Sequence, residues 1–439
     1  MRRLVLGVAT CLAAIDSGNA ASNPIGLAFD PGFGVGGHIQ LPRYPTADAS
    51  TTVTPLGVIH LDARGGYVAA TLQRAGNEPR IVLTRYTELG GLDTSWGNGG
   101  SLMPALPSPY GPGNAVRLVA GTENGDDIFY LAFSLSSDSI AFSVAVAKFT
   151  ASGAFDASFG FGGYAVSSLP FSAPEGLREL RGAAFTPVFG LPVLVVAVGA
   201  ANNRLVFSRA HGSGTAALSD QGSGSSLAFG FPPQVLQART NGPNHIEIVG
   251  SIGNEAFYAD YDAGALVLNS RTFRFPCTGG TTASAIDAIA RPAGWNGDVL
   301  VAGRSLCVGQ GRVSTVARVA NIALAPSVVW HADTETGASC LPGTAATCPQ
   351  VMLAYSDSYP GVAITATPLK NLVPVDIVAG TPMAATPLGA LDAQITAEPS
   401  SYRGIVFRYP RLVSFGVKFP SVQGLAGLIV DGLFINGFQ

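Results

Sequence analysis

Charge is what this chain has least of. Its 439 residues carry 25 basic and 28 acidic side chains, so 12% are charged against about a quarter in an ordinary globular domain. Lysine is confined to Lys148, Lys370 and Lys418. A net charge of -3 without basic runs gives no electrostatic footprint for nucleic acid or an anionic membrane surface, and neither is expected as a partner. Catalytic signatures are missing too. No serine has glycine two residues before and two after, which removes the hydrolase elbow. No lysine follows glycine, which removes the phosphate loop. The five histidines, His38, His60, His211, His245 and His331, are scattered without an HExxH pair. Isolated histidines read first as solvated or hydrogen-bonded side chains, although a ring-shaped fold can gather distant ones at its axis.

Cysteine is also scarce, and its placement points outside the cell. Arg2 and Arg3 precede a short apolar core, Leu4 to Ala14, and Gly18-Asn19-Ala20 supplies small residues for a signal peptidase, so residues 1–20 read as a signal peptide cut after Ala20. A lipoprotein reading would acylate Cys11, but Thr10 stands where a smaller residue is usual. Beyond the leader four cysteines remain, an even number that favours two disulfides in an exported chain. We expect Cys277–Cys307 to join neighbouring strands and Cys340–Cys348 to close a small loop; four buried thiols are the alternative. No pair has metal-site spacing.

What the chain has in abundance is 47% apolar residues, 55 glycines and 30 prolines, a composition of many short strands joined by tight turns. The uncharged run Gly182 to Ala201 is long enough to span a bilayer, yet Pro187, Gly190 and Pro192 interrupt it. We read it as two buried strands around a turn, and expect no transmembrane segment in the mature chain.

The order behind this composition is a phrase repeated at fixed spacing. Residues 29–37 read FDPGFGVGG, residues 92–100 LDTSWGNGG and residues 155–163 FDASFGFGG. The acids Asp30, Asp93 and Asp156, the aromatics Phe33, Trp96 and Phe159 and the closing glycines Gly37, Gly100 and Gly163 all keep step at a spacing of 63 residues. Two strand types recur with it. An apolar strand appears at Tyr67–Thr71, Ile128–Phe133, Val193–Gly199, Ile246–Gly250, Val299–Gly303 and Val375–Gly380. An alternating strand, usually ending in a basic and then a large apolar residue, ends at Tyr86, Phe149, Ala210, Tyr261, Val319 and Tyr409. Six copies of each, with room for four strands per unit, predict an all-β fold: a β-propeller of about six four-stranded blades.

The chain begins with a phrase and its strand (Gly36–Leu41) and ends with an RY-type strand that has no phrase after it. These ends are complementary, so the N-terminal strand is expected to close the ring beside the C-terminal blade, which removes exposed edges. The domain reading is one propeller over residues 21–419, with a disulfide-loop insertion near 334–350 and a C-terminal tail over 420–439.

The phrases resemble the bacterial delta-60 repeat, most closely at Tyr86–Gly100 (YTELGGLDTSWGNGG) and Phe149–Gly163 (FTASGAFDASFGFGG), while Gly294–Gly303 (GWNGDVLVAG) resembles its second half. The resemblance implies a secreted β-propeller and brings no catalytic residues with it. The last residues, Asp431–Gln439, are similar to the aromatic-ending tail of some exported Gram-negative proteins.

Candidate chemistry is thin. Asp30, Asp93 and Asp156 could form a ring of calcium ligands, but calcium loops place several oxygens at alternating positions and each phrase has one carboxylate. An aspartate that accepts backbone N–H bonds within its own turn is the stronger reading, and no cofactor is predicted. Phe33, Trp96 and Phe159 read as packing between blades rather than as a sugar platform. The acid pairs Asp126-Asp127 and Asp260/Asp262 could serve glycoside hydrolysis but read first as solvated turn residues. The expected function is therefore a monomeric, exported, non-catalytic binding or scaffold module at or outside a bacterial cell envelope, with a protein or glycan ligand. The alternative is an extracellular enzyme, a glycan hydrolase or lyase or a sugar dehydrogenase, working at the channel mouth.

Overall fold

The computed structural model describes residues 26–431, apart from 30–31, 36–37, 43–51, 76–77, 105–110, 124–125, 137–142, 161–162, 169–178, 189–190, 202–203, 212–218, 221–230, 232, 243–244, 263–264, 266, 337–349, 358–359, 368–370, 384, 388–403, 409–410 and 419–422. Among the described residues every regular element is a strand, and no helix is long and apolar enough to cross a membrane.

The strands form seven antiparallel sheets, a propeller-like architecture. Sheet I holds β3 (Thr52–His60), β4 (Tyr67–Ala75), β5 (Glu78–Tyr86) and β6 (Ser101–Leu102). Sheet II holds β7 (Gly111–Glu123), β8 (Asp126–Ser136), β9 (Ser143–Thr150) and β10 (Tyr164–Ser168). Sheet III holds β11 (Glu179–Val188), β12 (Leu191–Ala201), β13 (Arg204–His211) and β14 (Ser219–Asp220). Sheet IV holds β15 (Pro233–Thr240), β16 (His245–Ile252), β17 (Glu255–Asp262) and β18 (Val267–Phe273). Sheet V holds β19 (Thr281–Ala290), β20 (Val299–Cys307), β21 (Gly311–Ala320) and β22 (Ser327–Thr336). Sheet VI holds β23 (Met352–Tyr355), β24 (Val362–Ala366), β25 (Asn371–Asp376), β26 (Thr381–Pro382) and β27 (Thr386–Pro387). Sheet VII joins the two ends of the chain: β28 (Gly404–Arg408), β29 (Arg411–Lys418) and β30 (Gln423–Asp431) pair in order, and β1 (Gly26–Phe29) and β2 (His38–Gln40) both pair with β30.

The expected apolar strand is the second of its sheet and the RY-type strand the third in sheets I to V, and in sheets I and II the phrase lies between third and fourth. The count of about six units is corrected to seven sheets by the last stretch of chain. Val375–Gly380, read as an apolar strand, is the end of the third strand β25 followed by a turn over 377–380. The second strand there is β24, VAITA. The strand ending at Tyr409 is β28, the first strand of sheet VII. The stretch from 420, read as a tail, supplies β30, so only its last residues lie beyond the described strands. The N-terminal segment does pair beside the C-terminal strand, through Gly26↔Asp431 to Phe29↔Leu428 and His38↔Ala426 to Gln40↔Gly424. The uncharged run from Gly182 forms β11 and β12, paired antiparallel as expected of two strands around a turn.

The core is divided among the seams between sheets because both faces of the inner strands are covered. Along β4, Val68, Ala70 and Leu72 pack toward sheet II with Phe129 and Ala147, while Tyr67 and Ala69 pack the other way with Phe33 and Leu41. The next seams repeat the plan, Val249 and Tyr258 of sheet IV facing Ile286 and Val301 of sheet V, and Leu300 and Val316 of sheet V facing Ala363 and Val375 of sheet VI. First strands meet one another in sequence: β3 lies against β7, β7 against β11, β11 against β15, β15 against β19, β19 against β23, β23 against β28, and β28 against β3. Cys277 and Cys307 are disulfide-bonded, with Cα atoms 5.6 Å apart, which ties the connection between sheets IV and V to the end of β20. Cys340 and Cys348 lie outside the described residues.

Candidate functional site

One end of the molecule carries the turns between first and second strands and between third and fourth. Antiparallel pairing places both on one side, and side chains tie them together. In sheet I Glu88 Oε1 accepts the Gly66 N–H at 2.8 Å, and the Arg85 guanidinium donates to the Gly65 carbonyl at 3.1 Å.

The phrase turns sit here. Asp93 Oδ1 accepts from the Ser95 N–H at 3.2 Å and the Ser95 hydroxyl at 2.5 Å, while Oδ2 lies 3.3 Å from Arg85 Nη1. The next unit repeats this at Asp156, with Ser158 at 3.1 and 2.5 Å and Lys148 Nζ at 3.2 Å. Burial pushes the Asp156 carboxyl up, but the Ser158 hydrogen bonds and the Lys148 ammonium outweigh it and hold the group below the usual carboxylate range. Each carboxylate thus holds its own turn and the basic residue of the RY-type strand. Asp30 and Gly37 lie outside the described residues.

Phe33, Trp96 and Phe159 are all buried. Trp96 donates from Nε1 to the Ala151 carbonyl of sheet II at 3.2 Å, and its ring covers Gly153, where an added Cβ would come within 2.4 Å of it. One unit earlier Phe33 shares this place with Ile39: a Cβ added at Gly90 of sheet I would come within 2.7 Å of Ile39 and 3.1 Å of the Phe33 ring. Phe159 packs edge-on against Tyr130 of its own sheet II. In sheet V, which has no phrase, Trp330 covers Gly380 of sheet VI. An aromatic seated on the third-to-fourth turn of the next sheet is therefore a recurring joint, at Phe33, Trp96 and Trp330. Gly100 and Gly163 take φ of 95° and 91°, and at Gly163 a side chain would collide with Phe155.

Of the acid pairs, Asp126-Asp127 is a joint rather than a solvated turn, while Asp260 and Asp262 bond within sheet IV, to His245 and to the Ala265 N–H. Asp127, 1% exposed, accepts from the Ala63 and Arg64 N–H groups of sheet I at 2.8 and 2.7 Å, and Asp126 pairs with Arg64 at 3.3 Å. Asp357 of sheet VI accepts from the Ala293 N–H of sheet V at 3.1 Å, the same device four sheets on. The described histidines are not brought together. His60 lies between Asp62 (3.0 Å) and Glu88 (2.6 Å), His245 pairs with Asp260 at 3.0 Å, and His331 is exposed on β22. The side chains of His38 and His211 lie outside the described set. Among the described residues no group of three or more His, Cys, Asp or Glu side chains could hold a metal ion.

Three clusters escaped the sequence reading. On the seam between sheets IV and V, Glu247 is wholly buried. Its Oε1 accepts from Arg291 Nη2 at 2.6 Å, Arg291 Nε at 3.0 Å and the Tyr258 hydroxyl at 3.0 Å, with Arg239 Nε 3.9 Å from Oε2. Burial, then the Glu247 charge, pushes the Tyr258 hydroxyl up. Burial likewise raises the neighbouring Asp260 carboxyl despite His245. Within sheet V, buried Asp287 accepts from Arg304 Nε and Nη2 at 2.9 and 2.6 Å and from the Val351 N–H of the next sheet at 3.0 Å. The third cluster is on the turn end of sheet V. The Arg318 guanidinium lies 4.5 Å over the Trp295 ring, Nε and Nη2 both reach Asp298 Oδ2 at 2.8 and 2.7 Å, and Trp330 stands edge-on to Trp295 at 6.5 Å. Long separations hid these partners. The available signal was one charge inside an apolar strand: Glu247 in HIEIVGS, Asp287 in SAIDAIA.

No family model matches the chain, and no curated protein matches it. Among solved structures, a chain of the one titled "Crystal Structure of Mitotic Checkpoint Complex" is similar over 89% of this chain and 97% of its own, at 11% identity and a TM-score of 0.44.

Proposed function

We propose that this chain is an exported, non-catalytic binding or scaffold module, built as a closed seven-bladed β-propeller of the delta-60 repeat kind and working at or outside the cell envelope. Closure is supported by the first-strand contacts that lead from β3 through each sheet and back to β3, and by the sharing of sheet VII between the two ends of the chain. Export is supported by the leader-like N-terminus and by the Cys277–Cys307 disulfide.

The observation that carries the binding reading is where polar and apolar groups lie. Asp127, Glu247, Asp287 and Asp357 are engaged in holding sheets to one another. Exposed aliphatic side chains instead stand on the turn end of four sheets: Leu324 (75% exposed) on V, Val378 (80%) on VI, Val35 (81%) on VII and Leu89 (57%) on I. These sheets follow one another in the contact order. Exposed turns on a rigid frame are where recognition is commonly carried, and this arrangement supports a binding role for that end.

The test is a thermal-shift screen of residues 21–439 against divalent metals with a chelator control and against cell-wall and host glycans, since a ligand that binds only the folded form raises the melting point. A shift without turnover of the ligand is the expected result. Hydrolysis, elimination or oxidation of a bound glycan would sink the non-catalytic reading.

A further inference from the structure

We propose that the turn end of sheet V carries a saccharide-binding subsite, built from Trp295, Asp298, Arg318 and Trp330, that takes the vicinal diol of a neutral pyranose; this rests on the binding-module reading above. The argument starts from what sheet V lacks. In sheets I and II the basic residue of the third strand pairs with the phrase aspartate, Arg85 with Asp93 and Lys148 with Asp156. Sheet V has no phrase, so Arg318, at the same place in its strand, has no such partner. It turns instead to Asp298, across the first-to-second turn.

Both bonds from Arg318 fall on one carboxylate oxygen. Asp298 Oδ1 and Arg318 Nη1 are left without a hydrogen-bond partner among the described residues, in side chains 15% and 34% exposed. An acceptor and a donor fixed side by side match two adjacent hydroxyls, each of which can donate and accept. The guanidinium is held in place by Trp295, so little side-chain entropy remains to be lost on binding. Trp295 and Trp330 are both partly exposed and offer indole surface for the C–H face of a sugar ring. Access is open: Gly294 and Gly297 flank Trp295, and a Cβ built on either meets nothing within 4 Å. Charge selects the ligand, because Asp298 already neutralises Arg318 and its free oxygen would repel a phosphate or carboxylate. A neutral, hydroxyl-rich ligand fits.

The test is binding of the whole mature protein to immobilised maltohexaose, cellohexaose, mannohexaose and laminarin, followed by titration of each ligand that binds, read by tryptophan fluorescence. The expected result is binding of at least one, weakened about tenfold or more by Trp295→Ala and by Asp298→Asn. Trp295→Phe should restore most of it, and Val308→Ser, exposed at the opposite end of sheet V, should change nothing. Melting curves of all variants check that they fold, and Asp298→Asn, being isosteric, is the variant least able to fail for that reason. Saccharide binding that Trp295→Ala and Asp298→Asn leave unchanged overturns the subsite while leaving the binding module standing. Binding of none of the four also overturns it; capture of a protein partner would then uphold the module alone.

Discussion

A glycine and an indole define the joint between sheets I and II. Gly153 has φ of 79° and no room for a side chain under the Trp96 ring. Gly153→Ala must therefore both adopt a left-handed backbone and displace a fully buried tryptophan. We expect it to lower stability by about 1–3 kcal/mol, read as a fall in the denaturant midpoint. Gly242→Ala is the control: its φ is 78°, but a Cβ there meets nothing within 4 Å, so only the backbone term applies. Equal losses at the two sites would mean that the seat under Trp96 contributes nothing. Asp156 gives a prediction in pH. Its carboxyl is held low in the folded state, so its contribution is present above the unfolded value of about 3.9 and is lost as pH falls through the folded value. Asp156→Asn should lower the melting point at pH 6, and the deficit should shrink as the pH is taken down toward 2. A deficit that persisted undiminished at pH 2 would show that the carboxylate's charge is not what stabilises the turn.

Strands and turns were legible in the sequence where the local signal and the tertiary role agree. The phrase did so at Asp93 and Asp156, whose turn geometry is the one expected of aspartate followed by glycine, and the third strands of sheets I to V followed from their endings. The signal failed at Val375–Gly380. VDIVAG matches the apolar-strand pattern, yet Asp376 accepts from the Val378 and Ala379 N–H groups at 2.9 Å each and bends the chain into a turn. The third strand of sheet VII was hidden because QGLAGLIVD has neither the basic residue nor the aromatic that marks its counterparts. Sites were less legible than strands. Trp295, Asp298, Arg318 and Trp330 meet only when three strands and a turn are in register, although an RY-type strand with no aspartate after it was a clue at Arg318.

The pairing of β1 with β30 can be tested directly. Ala28 faces Ile429 in the register, so a cysteine at each should form a disulfide that closes nearly the whole chain. It should raise stability by about 2–4 kcal/mol, whereas Cys307→Ser, which opens the native bridge to Cys277, should lower it by a similar amount. Failure of the engineered pair to oxidise, with the native bridge intact, would count against the register.

For the whole molecule the question is whether the seven sheets behave as an open stack or as one closed body. An open stack has two terminal sheets, each with one seam, and its stability is a sum of units and neighbour contacts. Its ends fray first, and removing one sheet shortens it. A closed body has no end: every sheet has two seams, and losing any one exposes two apolar faces at once. The proposal above puts this protein in the second class, and the contacts of β28 with both β23 and β3, and a sheet built from both ends of the chain, support it. The expected behaviour is one calorimetric transition whose van't Hoff and calorimetric enthalpies agree. Removal of β23 through β27 should abolish folding rather than yield a smaller stable protein. The buried pair Asp287–Arg304 offers a gentler probe, because Asp287 also holds the Val351 N–H of the next sheet. Arg304→Met leaves a buried carboxylate uncompensated and should cost about 3–5 kcal/mol. In a closed body that loss moves the single transition as a whole. If it instead split the melt in two, with sheets V and VI leaving before the rest, the seams would be independent and the ring would not be closed.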